Sequence, residues 1–164
     1  MNRILYLMLP LAAASAFAGG VLAQNTGQIG KARSGADCVG CNLFQADFGG
    51  AQLKGRNYSR SRLRQADLSL TIMNRTSFAG ADLRDVNGYG GVFSSANFAR
   101  ANMTNSTFVG AYLKGANFRG ANLTGANLSG AEMQGAVVTQ AQLNTACGDE
   151  ATVLPRSLSI APCR

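Results

Sequence analysis

From Ala36 to Thr145 large apolar residues recur every five positions, in twenty-two consecutive blocks without insertion, deletion or change of register. Ala66-Asp67-Leu68-Ser69-Leu70, Ala81-Asp82-Leu83-Arg84-Asp85, Ala116-Asn117-Phe118-Arg119-Gly120 and Ala121-Asn122-Leu123-Thr124-Gly125 all read as a small slot, a polar slot, a large apolar centre and two variable slots. Nineteen of the twenty-two centres are Leu, Phe, Met or Tyr, and fourteen of the small slots hold Ala, so two side chains in five point inward. A period of five matches neither a helix nor a strand. It suits a chain that runs straight for a few residues and then turns a corner, each block forming one wall of a coil.

If four walls close a coil, residues twenty apart stack, and stacked side chains should be alike. On the first wall the centres are Cys38, Tyr58, Phe78, Phe98, Phe118 and Val138, which places ring above ring over four coils. On the second they are Leu43, Leu63, Leu83, Met103, Leu123 and Leu143, with no aromatic. Asn97 falls beneath Asn117 and Asn102 beneath Asn122, the amide ladders that stacked parallel chains favour. At ~4.8 Å per coil, about five and a half coils make a rod roughly 26 Å long.

These blocks, with an Ala-(Asp/Asn)-Leu-x-x signature over about two thirds of the chain, resemble the pentapeptide-repeat proteins. The resemblance implies an all-β fold, a right-handed quadrilateral parallel β-helix with stacked centres and the small residues filling the corners. It also implies a contrast. Cytoplasmic family members that protect DNA gyrase mimic duplex DNA, a role for a strongly negative rod. This chain carries a formal net charge of +7, and +6 once Arg3 is set aside with the N-terminal segment. The expected partner is therefore not DNA gyrase, and no nucleic acid is expected.

Residues 1–23 read as a signal peptide. Met1-Asn2-Arg3 gives a positive start, Ile4 to Phe17 is apolar and uncharged, and Val21-Leu22-Ala23 precedes a cleavage site, with Ala16-Phe17-Ala18 a second option. The chain is thus expected to be exported, to the periplasm or beyond. Gln24 to Gly35, with three Gly and two basic residues, reads as a flexible lead-in, and 146–164 as a C-terminal cap. Four cysteines permit three pairings. With the rod ends ~26 Å apart, cross-pairing is excluded, because bridged Cα atoms lie within about 7 Å. That leaves Cys147 with Cys163, clamping the cap, and Cys38 with Cys41, a bridge or a pair of buried thiols. Redox and zinc readings of Cys38-Val39-Gly40-Cys41 are weak: the segment shows no helical pattern and the chain has no His. No metal or cofactor is expected.

Chemistry on the walls is sparse. The absence of His and of a nucleophile with a base excludes the common triads. Asp47 and Asp67 stack on the third wall and could serve a polysaccharide-cleaving β-helix enzyme, or be ordinary outward Asp residues with no groove beside them. Arg60, Arg62, Arg64, Arg84 and Arg100 crowd the corner between the first and second walls, near Lys54 and Arg56, and could contact an anionic envelope surface or be a solvated face partly neutralised by Asp82 above Arg62. Leu70, Ile72, Tyr89, Val92, Val109 and Tyr112 take outward slots at the opposite corner, a candidate interface for a homodimer or an unidentified protein partner. Arg56 in a small slot predicts a bulge, and Gly88 at a centre a gap or a locally flattened wall between Leu68 and Phe108. The chain as a whole reads as an exported, non-catalytic solenoid, a structural or protein-interaction module of the cell envelope.

Overall fold

The structure, a computed structural model, describes residues 24–164; the expected signal peptide and its cleavage sites lie outside the described residues. The repeat is built from a β-turn in every block. From Cys41 to Ala136 the amide of every small slot but Arg56 donates back to the preceding centre, as Ala46 does to the Leu43 carbonyl at 3.1 Å. The fifth slot takes φ between 54° and 69° at every block from Gly40 to Gly135, whether the residue is Gly or, as at Gln45, Arg60, Gln65 and Leu70, carries a side chain. That left-handed conformation turns the corner; it favours Gly and strains a bulky residue.

Between corners the chain pairs with its neighbours through parallel bridges exactly one coil apart in register, each centred on a polar slot: Asn42 with Arg62, Asp47 with Asp67, Ile72 with Val92, and onward to Asn117 with Val137. Twenty residues per coil therefore place four walls around the core. At Arg62 the amide donates to the Cys41 carbonyl and the carbonyl accepts from the Leu43 amide, both at 2.8 Å, and a third ladder bond joins the Gln45 amide to the Arg64 carbonyl. One amide per block, that of the fourth slot, has no place in this scheme. The polar slot supplies it. Every Asp or Asn there from Asn42 to Asn127 accepts the N–H two residues on through its side-chain oxygen, at 2.9 to 3.4 Å. The Asp/Asn preference of the repeat is thus a backbone requirement, the Asx-turn bond that leaves no amide unpaired.

The core fills as the twenty-residue stacking predicts. Phe78 and Phe98, and Phe98 and Phe118, stack with centroids 5.2 Å apart and planes within 9°, while Tyr58 lies 5.8 Å from Phe78. Phe93 and Phe108 meet this column edge-on from the fourth and third walls. Of the gap or flattened wall expected at Gly88, the gap is filled. The Phe108 ring leans into the space, so that a Cβ on Gly88 would sit 2.6 Å from it. At Arg56 the backbone departs from the repeat: its amide lacks the turn bond to Leu53 and the Asn57 amide turns to the Asp37 side chain, while Asn57 keeps its bridge to Ser77 and Arg56 is exposed. Where Ser or Thr replaces Ala in a small slot, the buried hydroxyl donates to a carbonyl, as Thr71 does to Leu68 and Thr76 to Leu53.

The ends depart from the sequence reading. The lead-in, expected to be flexible, holds helix α1 (Thr26–Arg33), with the Asn25 side chain accepting from the Gln28 amide at its N-cap. Its apolar content is low, and tertiary contacts hold it. Ala32 is fully buried, the Tyr58 hydroxyl donates to the Ala32 carbonyl, and the Gln28 side chain accepts the Asn42 amide at 2.6 Å. Burial pushes the Tyr58 hydroxyl up to about 12, against the opposing pull of Arg56, so it donates throughout the physiological range. Cys38 and Cys41 are bridged, Cα atoms 5.4 Å apart, with the Cys38 sulfur 3.7 Å from the Gln28 carbonyl of α1.

At the other end the last repeat block is helical, α2 (Gln140–Leu143), although Leu143 keeps its buried centre position. The ladder bond lost at the Ala121 carbonyl is replaced by a side chain: Gln142 Nε2 donates to it and also to the Phe118 carbonyl, which already accepts the Ala121 amide. The segment from 146 does more than cap. Cys147 bridges to Asn127 and Val153 to Glu132, so it continues the third and fourth walls before β1 (Cys147–Gly148) pairs in parallel with β2 (Ala161–Pro162). The Cys147–Cys163 bridge, Cα atoms 4.8 Å apart, fastens this layer, and Pro162, lacking an N–H, leaves its edge a poor template for further pairing.

Two substitutions at one block separate core from ladder. Phe98→Ala should lower the unfolding free energy by about 3 to 5 kcal/mol. Asn97→Ala removes one acceptor for the Ala99 amide and one partner of the Asn117 amide, and should lower it by about 1 kcal/mol. Equal losses in chemical denaturation would contradict the assignment of inward and outward slots.

Candidate functional site

The two outward surfaces singled out in the sequence have different fates. At the basic corner, Arg84 turns its Nε and Nη2 onto the two oxygens of Asp82, at 2.7 and 2.6 Å, and Arg64 lies 3.4 Å from Asp85. The Arg84 hydrogen bond holds the Asp82 carboxyl below the usual carboxylate range. Asp82, expected to offset Arg62 in the next coil, thus has its carboxylate directed at Arg84, although its backbone does bridge to Arg62. Arg60 and Arg100, which form no ion pair among the described residues, occupy corner slots in a column that alternates Gly40, Arg60, Gly80, Arg100, Gly120. Each Arg stem lies over the glycine of the next coil, its Cγ 3.7 and 3.4 Å from the Cβ positions of Gly80 and Gly120. Shallow hollows of about 340 and 360 Å³ flank Arg60.

Asp47 and Asp67 are bridged on the third wall but share no cleft. Asp47 lines a hollow of about 370 Å³ beneath α1 that Asp67 does not reach. Each spends one oxygen on a backbone amide of its own block, those of Gly49 and Ser69, and Asp67 also accepts from Asn87. They have the form of ordinary polar-slot residues.

The apolar corner assembles as the spacing predicts. Ile72, Val92 and Tyr112 follow one another in a continuous bridge column on the fourth wall, and Tyr89 and Val109 occupy the fourth slots of the third. Leu70, Tyr89 and Tyr112 are 62, 54 and 46% exposed, while Ile72, Val92 and Val109 are half-buried. Leu70 has φ 55° in a column whose other members, Gly50, Gly90, Gly110 and Gly130, are all glycine, and its Cδ2 lies 2.9 Å from the Cβ position of Gly90.

The fourth wall was not singled out as a polar site, and it carries one. Lys54, Gly55, Asn74, Arg75, Ser94 and Ser95 line a hollow of about 450 Å³ at the corner with the first wall. The polar slots there are Gln52, Ile72, Val92, Tyr112 and Glu132, none of them Asp or Asn. A sequence signal existed in that break of the Asp/Asn preference, but its meaning depends on knowing which amide the slot serves.

The pentapeptide-repeats family model matches residues 59–87, 90–120 and 111–147, with eight copies. No curated protein matches the chain. Among solved structures, the pentapeptide-repeat protein Rfr23 of the cyanobacterium Cyanothece 51142 is 22% identical over 79% of this chain and 98% of its own, with a TM-score of 0.42. HetL of Nostoc sp. strain PCC 7120, involved in heterocyst differentiation regulation, is 29% identical over 68% of this chain, which spans 57% of HetL, with a TM-score of 0.41. A pentapeptide-repeat protein of the Arabidopsis thaliana thylakoid lumen is 31% identical over 56% of this chain and 67% of its own, with a TM-score of 0.38. The family match covers more than half of the sequence, and this chain belongs to the pentapeptide-repeat family.

Proposed function

We propose that the protein is an exported, non-catalytic solenoid of the cell envelope, right-handed and about five and a half coils long, that works by holding a protein partner, a second copy of itself included, against the apolar corner. The pentapeptide-repeat fold is that of a structural or interaction protein. Export follows from the apolar N-terminal segment and agrees with the two bridged cysteine pairs. The observation that carries the contact face is Leu70. A bulky residue in the left-handed region costs about 1 to 2 kcal/mol, glycine fills every neighbouring position of that column, and the Leu70 side chain is directed mostly into solvent. Strain held for no internal packing gain supports a role in contact with another molecule. The basic corner, its Arg64 and Arg84 already paired, is the weaker candidate for an anionic envelope surface.

Leu70→Gly should leave the unfolding free energy unchanged or raise it by up to about 1 kcal/mol, whereas truncation of a buried Leu lowers it by about 2 to 5 kcal/mol. The same substitution should weaken self-association or partner retention. Replacing Ile72, Val92 and Tyr112 together with Asn should preserve the circular dichroism spectrum, since Asn is at home in the polar slot, and abolish self-association in sedimentation. A monomeric unmodified protein whose triple variant retains every captured partner would overturn the reading. Intact-mass measurement of exported protein should show Gln24 at the N-terminus and a loss of four hydrogens; four alkylatable thiols would contradict it.

A further inference from the structure

Where the polar slot holds Asp or Asn, its side-chain oxygen occupies the fourth-slot amide, as on Gly49, Ser69, Ala99 and Thr104; with Ser77 or Thr107 there, the amides of Ala79 and Val109 have no acceptor among the described residues. On the fourth wall no polar-slot side chain does this. Ser94 borrows the Asn74 oxygen at 3.1 Å, while the amides of Lys54 and Asn74 have no acceptor among the described residues. Because outward side chains reach the same amide elsewhere, these two N–H groups face outward, beside Ile72 and into the hollow lined by Lys54, Arg75, Ser94 and Ser95. Lys54 and Arg75 form no ion pair among the described residues, and no carboxylate lines the hollow. Lys114, the next cation of the Lys54 column, is by contrast 3.6 Å from Glu132. Gly55 leaves the floor open, with nothing within 4 Å of its Cβ position. The site thus presents backbone donors, two cations and hydroxyls, and its one carboxamide oxygen, that of Asn74, is already taken by the Ser94 amide.

We infer that this hollow is a carboxylate-binding site, filled by the acidic side chains of a protein segment that lies along the Ile72, Val92 and Tyr112 column. The ligand oxygen takes the place that an Asp or Asn side chain takes on the other walls, Lys54 and Arg75 balance its charge, and the apolar residues of the same segment cover the column. This identity of the partner rests on the reading of the apolar corner as a contact face. Charge-assisted hydrogen bonds to backbone N–H groups are the strong kind, and acidic groups suit a chain with a positive net charge.

The test uses the 15N-labelled protein and two blocked peptides, one alternating Asp with Leu and one alternating Asn with Leu. The amide signals of Lys54 and Asn74 should move with the Asp peptide, and its affinity should exceed that of the Asn peptide by about tenfold or more, the worth of one charge-assisted hydrogen bond. Lys54→Gln with Arg75→Gln should erase that difference. Ile72→Asn supplies an internal acceptor for the Asn74 amide and should reduce the difference, whereas Ile72→Ala, which leaves that amide open, should preserve it. Equal affinity for both peptides, binding of neither, or equal loss in Ile72→Asn and Ile72→Ala overturns the carboxylate site and leaves the apolar contact face standing. An intact preference for the Asp peptide together with unaltered association of the triple Asn variant overturns the contact face instead.

Discussion

The structure depends on finding acceptors for the backbone amides of a coil that turns a corner every five residues. Three of the five amides join the ladder to the neighbouring coils, one closes the turn, and the last is met by the side chain of the polar slot. Unpaired amides repeated at every corner would be a heavy penalty for so small a core. The five-residue signature follows from that constraint: a small residue where the walls meet, an Asx side chain to hold the stray N–H, a large centre to fill the interior, and a corner residue that accepts a left-handed φ.

The same constraint governs the ends, where a parallel solenoid exposes a ladder and a core. At the N-terminal end α1 supplies a buried Ala32, a carbonyl for Tyr58 and a side-chain acceptor for the Asn42 amide. At the other end the Gln142 side-chain amide serves the Ala121 carbonyl, which would otherwise await another coil, and the segment fastened by Cys147 and Cys163 lays two further walls and closes on a proline. The ends are thus sealed by hydrogen-bond replacement as much as by apolar cover.

Function is then to be sought where a wall departs from what the backbone asks. The first, second and third walls mostly obey the Asx requirement, and their charged residues are largely turned to internal use, as with Asp82 on Arg84 or Asp67 on Ser69 and Asn87. The fourth wall gives it up over consecutive coils, placing Ile72, Val92 and Tyr112 where an acceptor belongs, and Leu70 stands at its corner in a strained conformation. Scattered exposed apolar residues are ordinary surface; here they coincide with open amides and unpaired cations, a combination with no internal use.

Most of the coil was legible in the sequence because its information is periodic. Spacing by twenty placed Tyr58, Phe78, Phe98 and Phe118 in one column and Ile72, Val92 and Tyr112 in another, and inward and outward slots followed from side-chain size alone. What fell outside the period was decided by tertiary contacts. A Gly-rich lead-in became a helix because Tyr58, Asn42 and the open core lay against it, the last block became α2 because no further coil was there to pair with it, and Phe108 filled the space at Gly88 because a ring one coil away could lean across. The meaning of the fourth wall also needed the fold. The sequence shows apolar residues in polar slots, but only the ladder reveals which amides they leave open and which cations stand beside them, since hydrogen-bond partners twenty residues apart are set by stacking rather than by local order.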